Sequence, residues 1–135
     1  MTVTYAIEKA LSAEEFVDVL KRSGLARRRP VDKPDVIRGM VENAALTVTA
    51  RGPAGTLVGV ARSVTDFAYC CYLSDLAVDR AYQGQGIGKE LMRRTKEAAG
   101  GDKVSLLLLS APDAMSYYPK AGLEKFDNCF GIRRK

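Results

Sequence analysis

The densest chemistry in this sequence lies in seven consecutive residues: Gln83, Gly84, Gln85, Gly86, Ile87, Gly88 and Lys89. Glycines at alternating positions let a backbone approach a ligand with no Cβ in the way. Ile87, Leu91, Met92, Thr95 and Ala98 recur at helical spacing, so the glycine run opens an amphipathic helix. The first amides of a helix have no intrahelical acceptor, and the helix dipole adds partial positive charge there. Such a corner can cradle a phosphate. A dinucleotide fingerprint requires G-x-G-x-x-G, and its third glycine position is Lys89. A Walker A loop requires a glycine where Gln83 stands and a hydroxyl where Glu90 stands. Neither common nucleotide motif is met, and the plain alternative is a tight turn whose glycines serve backbone geometry alone.

What the chain lacks narrows the chemistry further. It has no histidine, so a general base must be a carboxylate, a tyrosine, a terminal amine or water. Its three cysteines, Cys70, Cys71 and Cys129, are odd in number and follow no CxxC spacing. They read as small strand residues, and no metal site is expected. The net charge of +5 is scattered over short clusters at Arg27-Arg28-Arg29, Arg93-Arg94 and Arg133-Arg134-Lys135. No aromatic residues interleave with these clusters, which argues against a nucleic-acid platform and leaves some charge to attract an anionic cofactor.

The elements that must position the glycine corner follow from periodicity. The spacing predicts a strand over residues 2–7. A helix follows, opened by a capping box of Ser12 and Glu15 and closed at Gly24. A second helix is predicted over residues 35–43, then a hairpin of strands 45–51 and 56–64 about Gly52-Pro53-Ala54-Gly55, and a long strand 68–78. After the glycine helix, Gly100-Gly101 acts as a stop. The apolar run of residues 104–109 reads as a strand buried on both faces, and residues 112–120 as a short helix. Residues 123–126 and 129–132 read as short closing strands. Strand 68–78, the glycine helix and strand 104–109 form a βαβ unit, whose strands should be parallel with a right-handed crossover. At 135 residues, 47% hydrophobic and 27% charged, the chain is expected to form one domain over residues 1–135. No apolar run approaches the roughly 20 residues of a membrane span, and the start is not a signal peptide, so a cytoplasmic protein without a membrane partner is expected.

Gln83, Gly86 and Gly88 satisfy the pattern [QR]-x-x-G-x-[GA], and the stretch from Leu76 through Asp79 and Tyr82 to Gly88 resembles the acetyl-CoA motif of the GNAT superfamily of acetyltransferases. Tyr72-Leu-Ser-Asp-Leu before it, and Tyr117-Tyr118-Pro-Lys-Ala-Gly122-Leu123 after it, are similar to that family's flanking motifs. The resemblance implies an α+β, α/β/α layered fold, the acyl-CoA N-acyltransferase fold. Its central sheet is mixed and mostly antiparallel, with splayed parallel strands and flanking helices.

It also implies roles. The pyrophosphate of acetyl-CoA would lie on the amides of Gln83, Gly84, Gln85, Gly86, Ile87, Gly88 and Lys89. The pantetheine arm would pair with the backbone of Leu76, Ala77 and Val78, one of whose amides would polarise the thioester carbonyl. Lys89 or Arg80 would help to hold the 3′-phosphate. Tyr118 matches the tyrosine that protonates the departing thiolate, with Tyr117 packing inward. Asp75 stands in a Ser74-Asp75 pair where some polyamine acetyltransferases carry Glu-Asp. It is a candidate base or amine anchor, with a structural hydrogen-bonding role as the alternative. Strand alternation sets Tyr72, Ser74 and Leu76 on one face and Leu73, Asp75 and Ala77 on the other, barring a bulge. Ala111 replaces a CoA-binding asparagine of many relatives. The reaction implied is direct acetyl transfer to a primary amine of a small molecule or peptide, with residues 25–40 covering the acceptor. A CoA-binding module without turnover is the alternative, and by family analogy a homodimer through the C-terminal strands is a further expectation.

Overall fold

The computed structural model describes residues 2–135. Helix α1 (Ala13–Ser23) starts at Ser12, whose hydroxyl accepts the Glu15 amide at 3.1 Å, and ends at Gly24 in the left-handed region (φ 89°). A 3₁₀ turn over Leu25–Arg28 leads to α2 (Pro34–Glu42), with Pro34 in its first turn. The strands among the described residues are β1 (Thr4–Ile7), β2 (Leu46–Arg51), β3 (Leu57–Thr65), β4 (Cys70–Val78) and β5 (Ser105–Leu107), hydrogen-bonded in chain order. The first four run antiparallel, and β5 joins β4 parallel after the crossover helix α3 (Ile87–Ala99). A last short helix, α4, covers Tyr117–Lys120. No described helix is long and apolar enough to cross a membrane.

The sheet is a middle layer. On one face Phe16, Val19 and Leu20 of α1 and Ile37 of α2 pack on Leu57, Val60 and Ala77. On the other, Ile87, Leu91 and Met92 of α3 pack on Leu46, Val48, Ala61 and Leu73. Each such large apolar side chain contributes roughly 1.5–3 kcal/mol by leaving water. The splitting of β4 between two clusters has a local cause. Arg62 pairs with Asp75 but Ser63 with Leu73, so Ser74 is an extra residue on β4. This bulge breaks simple alternation. Leu73 shares the α3 face with Leu76 and Val78, while Ala77 points to α1 and α2.

Two expectations fail. The apolar run of residues 104–109 is not buried on both faces. Val104 is buried and Leu106 and Leu108 pack beneath α3, but Leu109 is 67% exposed, and no residue of the run joins the cluster under α1 and α2. Its strand is correspondingly short. The two closing strands are absent: Leu123 packs on the core, but residues 124–135 form no ladder, and Phe130 and Ile132 are 93% and 102% exposed. A period-two pattern makes a strand only where a neighbouring backbone supplies hydrogen bonds, and none does so here.

Candidate active site

The glycine run forms the corner between β4 and α3. Gly84 (φ 81°) and Gly86 (φ 83°) take left-handed conformations that residues with a Cβ adopt only at a cost, and Gly86 is the N-cap of α3 with no side-chain cap. Among the described residues, no protein acceptor meets the amides of residues 84–89, and helical pairing begins at Glu90, whose amide donates to the Gly86 carbonyl at 3.0 Å. Gln83 departs from the expected pattern. Its amide donates to the Arg80 carbonyl at 3.4 Å, and its side-chain Nε2 donates to the Val78 carbonyl at 3.0 Å, so it braces the corner from behind.

The entry to the corner is fixed from α1. Arg22 Nη1 pairs with Asp79 at 2.5 Å and Nη2 donates to the Leu57 carbonyl at 2.6 Å, while the Ala81 amide donates to Asp79 at 2.9 Å. Burial works to raise the Asp79 pKa, but the Ala81 amide and Arg22 outweigh it and hold the carboxyl below its ordinary value.

β5 pairs with β4 only from Cys70 to Tyr72. Beyond Tyr72 the β4 edge, including Leu76, Ala77 and Val78, has no neighbouring strand on that side. This is the divergence that an extended ligand arm would need to join the sheet as another strand.

α4 brings Tyr117 and Tyr118 to this opening, their ring centroids 5.2 Å apart and edge to face. Tyr118, not Tyr117, packs against the α3-side core. A Cβ added at Gly88 would lie 2.7 Å from the Tyr117 hydroxyl, so Tyr117 lies over the start of α3 rather than packing inward. The reason is the helical turn: adjacent residues point about 100° apart, and Leu123, docked through its amide on the Tyr118 carbonyl at 3.0 Å, holds Tyr118 inward. Burial and the adjacent Tyr117 push the Tyr118 pKa above its ordinary value, while Arg29 pulls it down.

Asp75 is fully buried. One of its oxygens accepts from Arg29 Nε and the other from Arg62 Nε. Arg29 Nη2 also donates to the Ser74 carbonyl at 2.8 Å, and Arg62 Nη2 to the Ser74 hydroxyl at 2.9 Å. With one guanidinium on each oxygen and no exposed surface, Asp75 presents no oxygen to an incoming ammonium. Its geometry is that of an anchor joining the 25–40 segment to the β4 bulge. Sequence reasoning missed both arginines as its partners. One signal was present: Arg62 interrupts the apolar run of β3, where a strand buried on both faces tolerates a charge only with a partner.

Lys89 is exposed at the corner, and the Arg80 guanidinium lies against Gly24, where an added Cβ would meet its Nη2. The Ala111 carbonyl accepts from the Ser110 hydroxyl at 2.8 Å and the Ala114 amide at 3.0 Å, a local turn with no side chain to offer a ligand.

The chain is similar to known acetyltransferases in sequence and in fold. A stretch is 33% identical over 69 residues to GCN5-related N-acetyltransferase 2, chloroplastic, from Arabidopsis thaliana, covering 50% of this chain and 27% of that protein. Another is 26% identical over 102 residues to the uncharacterized N-acetyltransferase ycf52 of Pyropia yezoensis, covering 73% of this chain and 57% of the relative. The chain thus spans well under two thirds of the Arabidopsis relative's length. The fold is shared with a ribosomal-protein-alanine N-acetyltransferase from Brucella melitensis biovar Abortus 2308, at TM-score 0.72 and 22% identity, over 98% of this chain and 100% of that one. The model of the acetyltransferase (GNAT) domain matches residues 42–125, which include β4, the glycine corner, α3 and α4, and the chain belongs to that family.

Proposed function

We propose that the chain transfers an acetyl group from acetyl-CoA to a primary amine of a small molecule or peptide, by direct attack within a ternary complex. The observation that carries this reading is the row of free amides at residues 84–89, at the positive end of α3 and beside a β4 edge with no neighbouring strand. Acetyl-CoA would supply a thioester already activated for attack by nitrogen. The amides of Gly84, Gln85, Gly86, Ile87, Gly88 and Lys89 grip its pyrophosphate, and the β4 edge at Leu76, Ala77 and Val78 orients the arm. An amide of that edge donates to the thioester oxygen as charge builds there. Tyr118, kept protonated at neutral pH, donates its proton to the departing sulfur and regains one from solvent.

The acceptor ammonium loses one proton to water before attack, because Asp75 is occupied, and the attacking nitrogen loses a second to water as the carbon–sulfur bond breaks. Asp75 serves instead to fix Arg29 and the bulge at Ser74. The same occupancy favours a second reading, a module that binds CoA without turnover.

Calorimetric titration with CoA, followed by a free-thiol assay with acetyl-CoA and a panel of amines, separates the outcomes. Binding with thiol release supports transfer. Binding without release supports the module. No binding removes both.

A further inference from the structure

At the β4 bulge one carboxylate faces two guanidinium groups, so the junction of Asp75, Arg29 and Arg62 carries one positive charge more than it balances. An uncompensated buried charge is unfavourable unless something supplies the counter-charge. The two arginines differ in reach. Arg62 is closed in, with its Nη1 on the Met40 carbonyl at 3.2 Å, its Nη2 on Ser74 and its side chain 9% exposed. Arg29 comes from the 25–40 segment, and its side chain is 21% exposed. Its Nε, Nη1 and Nη2 each make one bond, to Asp75, to the Arg28 carbonyl at 2.8 Å and to the Ser74 carbonyl. A guanidinium has five N–H donors, so two remain.

Through Asp75 and the Ser74 carbonyl, Arg29 is fixed on β4 immediately before Leu76, within the stretch that β5 does not cover. Arg27 and Arg28, next to it in the chain, are exposed and meet no carboxylate among the described residues. These charges repel a polycationic amine approaching the 25–40 segment and attract an anion.

We propose that the acceptor amine carries an oxyanion, a carboxylate or a phosphate, and that Arg29 is the specificity-determining residue that receives it. This rests on the site being the acetyl-transfer site described above.

The test is direct binding, with and without CoA, of two matched pairs: L-alanine against L-alaninamide, and O-phosphoethanolamine against ethanolamine. The anionic member of at least one pair binds about tenfold more tightly than its neutral-tailed partner, as a charge-assisted hydrogen bond requires. The pair that discriminates tells carboxylate from phosphate. Arg29→Gln abolishes the discrimination, and Arg29→Lys, which keeps the charge, retains its order. Equal binding within both pairs overturns the proposal, as does discrimination that survives in folded Arg29→Gln. Should Arg29→Gln fail to fold, the wild-type pairs decide alone. Loss of CoA binding with intact discrimination sinks the acetyl-transfer reading and leaves an anion site at Arg29 standing.

Discussion

The bulge within β4 and the corner that follows the strand treat their polar groups in opposite ways. At Asp75 every carboxylate oxygen has a guanidinium partner, Ser74 gives both its carbonyl and its hydroxyl to the same two arginines, and the carboxylate is sealed from water. A few residues on, six consecutive amides from Gly84 to Lys89 have no protein acceptor. Saturation marks the first as framework. Deficiency at a solvent-facing helix start leaves the second free to donate, which is what supports the proposed role in holding a pyrophosphate. The order of these regions along the chain gives no hint of this, since both sit in the same motif. What separates them is where hydrogen-bonding capacity has been used.

The largest effect should come from breaking the saturated end. Asp75→Ala leaves Arg29 and Arg62 facing each other, with Arg62 buried, and removing one partner of such a group costs about 3–5 kcal/mol. Urea unfolding should show the midpoint falling at constant slope. A stable Asp75→Ala protein with a lost limb in its pH–rate profile would return Asp75 to the role of base and end the comparison.

Next is Tyr118→Phe. The hydroxyl makes no hydrogen bond among the described residues, so stability should barely move, while the transfer rate at neutral pH falls about 100-fold. The sign of the pH effect follows from the raised pKa, to which burial contributes most. Tyr118 works in its protonated form, so the wild-type rate should rise with the fraction of free amine and turn down only at pH values above the ordinary tyrosine pKa of 10.0. The phenylalanine variant lacks that alkaline limb.

Two glycines with the same backbone angle sharpen the contrast from the deficient end. Gly86 and Gly55 both have φ 83°, one at the α3 corner and one in the turn between β2 and β3. Alanine at either position costs about 1–2 kcal/mol of backbone strain. Only Gly86→Ala should also weaken CoA binding, by about tenfold, because relief of strain there moves the free amides. Equal loss of CoA affinity in both variants would mean that the corner has no special part in binding.

The sequence made the deficient end legible because its signal is local. Left-handed glycines, a helix start and a preceding strand all lie within about a dozen residues of Gly86. The saturated end was only partly legible: the charge of Arg62 inside an apolar strand, 13 residues from Asp75, was a signal, but the second partner is distant. Arg29 lies 46 residues from Asp75, and the bulge at Ser74 shows only in the pairing of β4 with β3. The same distinction accounts for the failures. Residues 104–109 have the composition of a doubly covered strand, but coverage is a property of the layers above and below them. Residues 129–132 alternate correctly, and without a partner edge that pattern leaves Phe130 and Ile132 in water.

The smallest predicted effect tests whether saturation or burial makes Asp75 critical. Glu8 is as fully engaged as Asp75: Arg51 donates to its two oxygens at 2.9 and 2.8 Å, and the Thr49 hydroxyl donates as well. The difference is position, since the Glu8 side chain is 27% exposed and solvent can take over when a bond is lost. The Arg51 bonds, helped by Thr49 and opposed by burial, lower the Glu8 pKa from 4.5. A carboxyl lowered on folding contributes stability that is complete above pH 4.5 and is lost as pH falls through its folded value. Glu8→Gln should remove that part of the acid slope and cost no more than about 1 kcal/mol at neutral pH, as expected for a partly exposed pair. Acid titrations of stability for both proteins would show it. A loss at neutral pH as large as that of Asp75→Ala would mean that a full set of partners alone makes a carboxylate indispensable. A small loss assigns the difference to the exclusion of water around Asp75.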